Sequence, residues 1–353
     1  MGSDNGTRTK KIKHVNIQDP FFSSLINDYK EFTTWFAKKA EDQAYVFEDE
    51  NDKVNGFLYL KTEEGSVDDV VPQLPNKKRL KVGTMKINAR GTKLGERFIK
   101  KIFDHALHNK VSEIYVTVFP AHEVLIALFT KYGFIQVAEK HTQNGTELVL
   151  IKDLNVLQNT LVRSYPLMDM ANRNIYLLSL NPQWHTRLLP DSILKNENAD
   201  IIEDISHANS VHKVYLAAMD GLEKLKPGDI LVIYRTTDHQ GPAHYRSVAT
   251  SVGVVEEYRS IRSFASRDEF MSYCQPYSVF SDAELDQFWQ RKNYPHVFRF
   301  TYNAAFKRRV TRGEMIEQFG MNPAAYWGFM RLTRDQFNLI AQAGQMDESI
   351  IIN

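Results

Sequence analysis

The 353-residue chain has a single cysteine, Cys274, so it can form neither an intramolecular disulfide nor a cysteine-rich zinc site. A solitary thiol of this kind reads as a packed residue rather than a nucleophile. No stretch approaches the roughly 18 to 20 uninterrupted apolar residues that a membrane span needs. Charge of one sign is not in excess either. The net charge of +1 excludes a polycation, so affinity for nucleic acid must come from patches such as KKRLK (77–81), RSIRSFASR (259–267) and KRRVTR (307–312). No fixed-period repeat or low-complexity tract is present. The opening MGSDNGTRTKKIKH carries no apolar signal core, and Gly6 stands where a myristoylation motif needs Ser or Thr. It reads as a frayed basic tail on a cytoplasmic protein. What is there is 43% hydrophobic and 25% charged, the composition of a globular chain long enough for two or three domains.

From 44 to 152 the pattern alternates strand and helix. AYVFED (44–49) and GFLYLK (56–61) predict a hairpin, and RLKVGTMKI (79–87) predicts a further strand. Leu94, Phe98, Ile99, Ile102, Phe103, Ala106 and Leu107 recur at helical spacing. EIYVTVF (113–119) is dense in β-branched and aromatic residues and ends at Pro120. A second amphipathic helix, within 121–134, stops at Gly133, and IQVAEK (135–140) with ELVLIK (147–152) predict a closing hairpin. Periodicity lapses over 154–173, which reads as a linker between a domain over 12–153 and one over 174–353. The latter is richer in short strands: NIYLLSL (174–180), HKVYLAAM (212–219), GDILVIYRT (228–236), SVATSVGVVEEY (247–258) and HVFRFTY (296–302). They predict a small, mostly antiparallel barrel with appended helices.

Between a strand and a helix lies RGTKLGER (90–97). A glycine-bearing turn that opens a helix aims unpaired backbone amides at one point, at the positive end of the helix dipole, where an anion is stabilised. Strand, turn and helix, followed by EIYVTVF and LFTKYGF, resemble the GNAT acyltransferase family over about 19–152. Its signature, Gln/Arg-x-x-Gly-x-Gly/Ala, is met at Arg90 and Gly95, with Lys93 at the middle glycine's place. A lysine of ordinary negative φ is expected there. The resemblance implies an α/β mixed sheet with flanking helices, acetyl-CoA as cofactor, and a cofactor segment comprising Lys86, Ile87, Asn88, Arg90, Gly91, Thr92, Lys93, Leu94 and Gly95. It also implies that the strand over 82–88 splays from that over 113–119, leaving backbone groups for the pantetheine arm. Family members carry Asn at the start of the second helix and a Tyr acid four residues before the Gly-Phe pair; here these places hold His122 and Phe129. His122 is therefore a candidate base or hydrogen-bond donor, and Tyr132 a candidate acid. Glu48, Glu63 and Glu64 flank the hairpin where acceptor amines enter this fold.

KPGDILVIYRT with RSVATSVGVVEEY resembles the ASCH/EVE group of PUA-like barrels. NIYLLSLNPQWHTRLL resembles their opening, and AYWGFMRLTRDQF (325–337) their close. The resemblance implies a C-terminal α+β PUA-like small β-barrel and a nucleic-acid partner, RNA or DNA, including modified bases. A base is held by stacking and edge hydrogen bonds, with cations near phosphate. Candidates are Trp184, His185, Tyr234, Arg235, His244, Tyr245, Arg246 and Ser247, with Lys307, Arg308, Arg309 and Arg312 as a phosphate track; Trp327 reads as core. Two functions follow from this inventory. One is an acetyl-CoA-dependent N-acyltransferase steered to a nucleic-acid or nucleic-acid-linked amine. The other is a non-catalytic reader of RNA or modified bases on a degenerate GNAT scaffold. No metal and no membrane partner are expected, and a homo-oligomer is compatible with either.

Overall fold

The computed structural model describes residues 7–49, 51–88, 93–189, 192 and 210–353, and the chain divides into two compact units, 1–156 and 157–353. The first unit runs β1 (Thr7–Lys11), α1 (Ser23–Asp28), α2 (Phe32–Lys38), β2 (Gln43–Glu48), β3 (Val54–Val67), β4 (Leu74–Ile87), α3 (Leu94–His108), β5 (Glu113–Val118), α4 (Glu123–Lys131), β6 (Ile135–Thr142) and β7 (Gly145–Asp153). Its seven-stranded sheet has the order β1-β2-β3-β4-β5-β7-β6. All neighbours are antiparallel except β4 and β5, which are parallel. The periodic apolar positions of α3 are buried as its spacing requires, with Phe98, Ile99, Ile102, Phe103 and Ala106 wholly covered. A second cluster joins Phe21, Phe22, Phe32 and Phe36 to Phe57 of β3.

The parallel pairing of β4 with β5 covers only Leu80↔Ile114, Lys81↔Tyr115 and Val82↔Val116. The next residue causes the break. Across β3 and β4, Tyr59 pairs with Thr84 and Leu60 with Val82, so Gly83 is an extra residue in β4, a bulge that bends the strand. A Cβ at Gly83 would lie 2.7 Å from Cδ1 of Tyr59, which explains why glycine stands there. Beyond Val82, β4 keeps β3 on one edge and, among the described residues, has no strand on the other.

The second unit contains α5 (Leu161–Ser164), β8 (Met168–Asp169), β9 (Ile175–Leu180), α6 (Pro182–Leu188), β10 (His212–Ala217), β11 (Ile230–Arg235), α7 (Ala243–Arg246), β12 (Val248–Ser260), α8 (Arg267–Cys274), α9 (Asp282–Arg291), β13 (His296–Thr311), α10 (Arg312–Glu317), β14 (Phe329–Leu332), α11 (Arg334–Ala343) and β15 (Ile351–Ile352). Its main sheet is ordered β10-β13-β12-β11-β9-β14, antiparallel throughout except between β11 and β9. The sequence suggested a small, mostly antiparallel barrel. Among the described residues the sheet instead ends at β10 and β14 with no pair joining them, although register shifts between β12 and β13 mark bends. Of the segment read as a linker, Tyr165, Leu167, Met168 and Met170 are buried, and β8 pairs with β15. Tyr165 donates its hydroxyl to the carbonyl of Tyr302 at 2.9 Å, and Pro166 accepts from Asn303 Nδ2 at 3.0 Å. No helix among the described residues is long and apolar enough to cross a membrane.

Candidate functional site

Where β4 leaves β5, the first unit has a cavity of about 360 Å³. Its floor comes from one face of the sheet: Tyr59, Lys61 and Glu63 of β3, Lys81 and Gly83 of β4, Thr117 of β5 and Glu147 of β7. Leu25 of α1, Tyr29 of the connection and Phe32 and Trp35 of α2 also line it, as does His122. The Tyr29 hydroxyl donates to Oε1 of Glu147 at 3.1 Å, and Asn144 of the β6–β7 turn donates to both carboxylate oxygens of Glu31 at 3.0 and 2.9 Å. Burial, reinforced by the Glu147 charge, pushes the Tyr29 phenol far above its ordinary range, so it stays protonated and acts as a donor. On the floor, Glu63 accepts from Lys61 at 2.8 Å and from Tyr115. Burial alone would raise the Glu63 carboxyl, but these two hydrogen bonds and the Lys81 charge hold it below the usual range. The Tyr115 phenol is raised, first by burial and then by its bond to Glu63. Burial lowers the Lys81 ammonium.

The structure separates the residues expected at this site. His122 lines the cavity as the residue preceding α4, solvent-exposed and 6.4 Å ring to ring from Phe119. Tyr132 does not line it: it follows the last turn of α4, fully buried, with its ring facing Phe103. Phe129 is likewise buried, against Phe134. The position expected of an acid at the cavity is thus turned by the helix into the core. Lys86 points its ammonium at the carbonyl of Phe21 and the hydroxyl of Ser24, and the backbone N–H of Asn88 is taken by Asn55 at 2.9 Å. Ile87 closes β4 opposite Gly56. Arg90, Gly91 and Thr92 lie outside the described residues. Lys93 has φ 54, not the negative value expected, and so takes the left-handed backbone that a glycine at this place would take without strain. Leu94 is buried in the first turn of α3, and Gly95 packs beside Leu128. Of the three hairpin carboxylates, Glu63 lines the cavity and Glu48 pairs with Lys10 at the far side of the hairpin; Glu64 is not among the lining residues. Sequence reasoning missed Tyr29 and Glu147, and noted Lys81 only within the basic patch KKRLK. Phe32 and Phe36, four apart with Trp35 between, were the available sign of the helix that covers the cavity.

In the second unit most recognition candidates are engaged internally. Tyr234, Arg235 and Ser247 are buried, Tyr234 against Trp327 at 5.5 Å, and Trp184 packs on Phe280 at 5.0 Å. His185 is fully buried with Nε2 2.8 Å from the Thr250 hydroxyl. Its imidazole is pushed down to about 3, chiefly by burial and further by the charges of Arg235 and Arg309. His244 meets Glu317 at 3.0 Å, Arg246 is clasped by Asp238, Arg308 by Glu314, and Arg309 donates to the Phe306 carbonyl. Arg312 lies over Trp327 at 4.7 Å. Tyr245, 71% exposed, and Lys307 remain turned to solvent. A larger hollow of about 550 Å³ in this unit is internally neutralised: Glu256 pairs with His212 at 2.5 Å and with Arg299 at 3.2 Å, and Arg173 with Asp169 at 3.4 Å.

No protein-family model matches the chain, and neither does any curated protein. Solved structures similar to it include GNAT acetyltransferases and ASCH proteins. The NatC complex bound to Gag peptide and CoA gives 15% identity and a TM-score of 0.30 over 42% of this chain and 99% of that one. NAA60 of Arabidopsis thaliana with a bisubstrate analogue gives 11% and 0.31 over 41% and 97%. A variant of ZmASCH from Zymomonas mobilis gives 9% and 0.31 over 48% and 96%. At such scores, what the chain does must be read from its own residues.

Proposed function

We propose that the first unit is an acyl-CoA-dependent N-acyltransferase of the GNAT type, with acetyl-CoA as donor. The observation that carries this reading is the three-pair contact of β4 with β5, which opens at the Gly83 bulge directly onto the cavity. The edge of β4 beyond Val82 can pair with an extended amide-bearing arm as it would with a strand. The first turn of α3, entered through left-handed Lys93, supplies N–H groups without intrahelical partners for a diphosphate. Bound there, acetyl-CoA supplies a thioester carbonyl open to attack.

Glu147 is the base in this reading. It is buried on β7 at the cavity, and Tyr29 fixes it through Oε1, leaving Oε2 without a hydrogen bond to any described residue. The amine nitrogen gains the acyl group and gives its proton to Glu147, the carbon–sulfur bond breaks, and the departing thiolate is protonated from solvent. Calorimetry on the full chain with acetyl-CoA and desulfo-CoA tests the reading. Binding is expected for both, and Gly95→Asp, which sets a carboxylate in the first turn of α3, abolishes it. The new Cβ would meet only the flexible end of Leu128, at 2.9 Å, so the helix can adjust. Absence of binding to the unmodified chain would sink the proposal. For the second unit we propose a nucleic-acid contact limited to Tyr245, Lys307 and Arg308, which are the exposed members of the expected set.

A further inference from the structure

The cavity is lined by three carboxylates, Glu31, Glu63 and Glu147, and three lysines, Lys39, Lys61 and Lys81. Five of the six have polar partners within the fold. Lys39 pairs with Asp42 at 3.0 Å and Lys61 with Glu63 at 2.8 Å, while Glu31 is held by Asn144 and Glu147 by Tyr29. Lys81 makes no hydrogen bond or ion pair with a described residue; its ammonium stands 5.4 Å from the centre of the Tyr115 ring. Glu63 and Asp69 attract it from farther off, Lys61 and Lys140 repel it, and both acids are already engaged, Asp69 by Lys140 at 2.6 Å. An ammonium drawn out of water without a counter-ion is costly, and an anion brought to it removes that cost.

We propose that the cavity selects an amine that also bears a carboxylate, an amino acid with an apolar side chain, with Lys81 holding the carboxylate while Glu147 takes the amine proton. This rests on the transferase reading above. A simple cationic amine would be repelled by Lys81, whereas an amino acid brings the missing anion. Tyr29, Phe32 and Trp35 give its side chain an aromatic wall.

The test uses the full chain with acetyl-CoA and follows thiol release with L-phenylalanine, L-phenylalaninamide and 2-phenylethylamine. Phenylalanine is expected to exceed the other two in kcat/KM by about tenfold or more, as for a charge-assisted contact. In Lys81→Met the preference should shrink to about twofold with desulfo-CoA affinity unchanged, and Lys81→Arg should restore part of it. Equal use of the three amines, or a preference that survives Lys81→Met, overturns the assignment. Calorimetric titration with 3-phenylpropanoate, which has no amine to acylate, reads the contact separately. Saturable binding weakened about tenfold by Lys81→Met is expected, and no binding to the unmodified chain overturns it. Carboxylate binding without thiol release from any amine would sink the transferase reading and the role of Glu147, leaving only the carboxylate contact of Lys81. Thiol release without carboxylate preference would sink only the role of Lys81.

Discussion

Strands β4 and β11 occupy similar places, each with a neighbour on both sides, yet they do opposite things with their polar residues. β11 is hydrogen-bonded along its whole length, to β12 on one edge and β9 on the other, and all six of its residues are buried. β4 has a second neighbour for only three residues before Gly83 bends it away. Tyr234 and Arg235, which read as recognition residues, are consequently packed, while Lys81, noted only as the last residue of the basic patch KKRLK, lines a cavity. Lys81 is itself paired on both edges, two residues before the bend, so a polar side chain becomes available beside a break in strand pairing rather than where the sequence looks chemically rich.

The largest effect that could break this comparison is at Glu147. Glu147→Gln should lower kcat by about 10²- to 10⁴-fold, the usual range for loss of a general base, with little change in acyl-CoA affinity. Undiminished turnover would move the base elsewhere, His122 first. Next comes the closed strand: Leu231→Ala, in the core of the second unit, should cost about 2 to 5 kcal/mol in urea unfolding of that unit. Desulfo-CoA binding by the first unit should be unaffected at low denaturant; joint loss would show that the two strands are not independent.

His185 sharpens the contrast through pH. Its native pKa, about 3, lies below the ordinary 6.5, so between these values only the unfolded chain binds the proton and stability falls as pH drops. Unfolding of the second unit should therefore lose about 2 kcal/mol between pH 7 and pH 5 on account of this group. His185→Asn should flatten that slope, and an unchanged slope would assign the acid sensitivity to other groups. A smaller effect is expected at Tyr29→Phe, about tenfold in kcat, because it removes one hydrogen bond to the charged Glu147. The smallest concerns the exposed surface. Lys307→Ala with Arg308→Ala should shift stability by less than about 1 kcal/mol, yet weaken single-stranded nucleic-acid binding and reduce its salt dependence. Identical affinity and slope would remove this patch from any nucleic-acid contact.

The alternation of strand and helix over 44–152 was legible because periods of 2 and 3.6 are local properties, and α3 and β5 lie where their apolar spacing put them. The bend at Gly83 was not. In LKVGTM nothing marks the glycine as an extra residue until β3 is laid beside it. Tyr132 illustrates the converse: counting from the Gly-Phe pair gave Phe129, and the tyrosine three residues on stands in the core. Lys93 kept the backbone geometry of a glycine, which its side chain hid.

By itself, then, the sequence determined the alternating strands and helices over 44–152, including the start of α3 after Lys93. Only the tertiary structure decided which strands keep two neighbours, and with that which charges are paired. The reason is physical: backbone preference and apolar period act over a few residues, whereas the counter-ion of an ammonium such as Lys81 must come from distant parts of the chain, and among the described residues none reaches ion-pair distance.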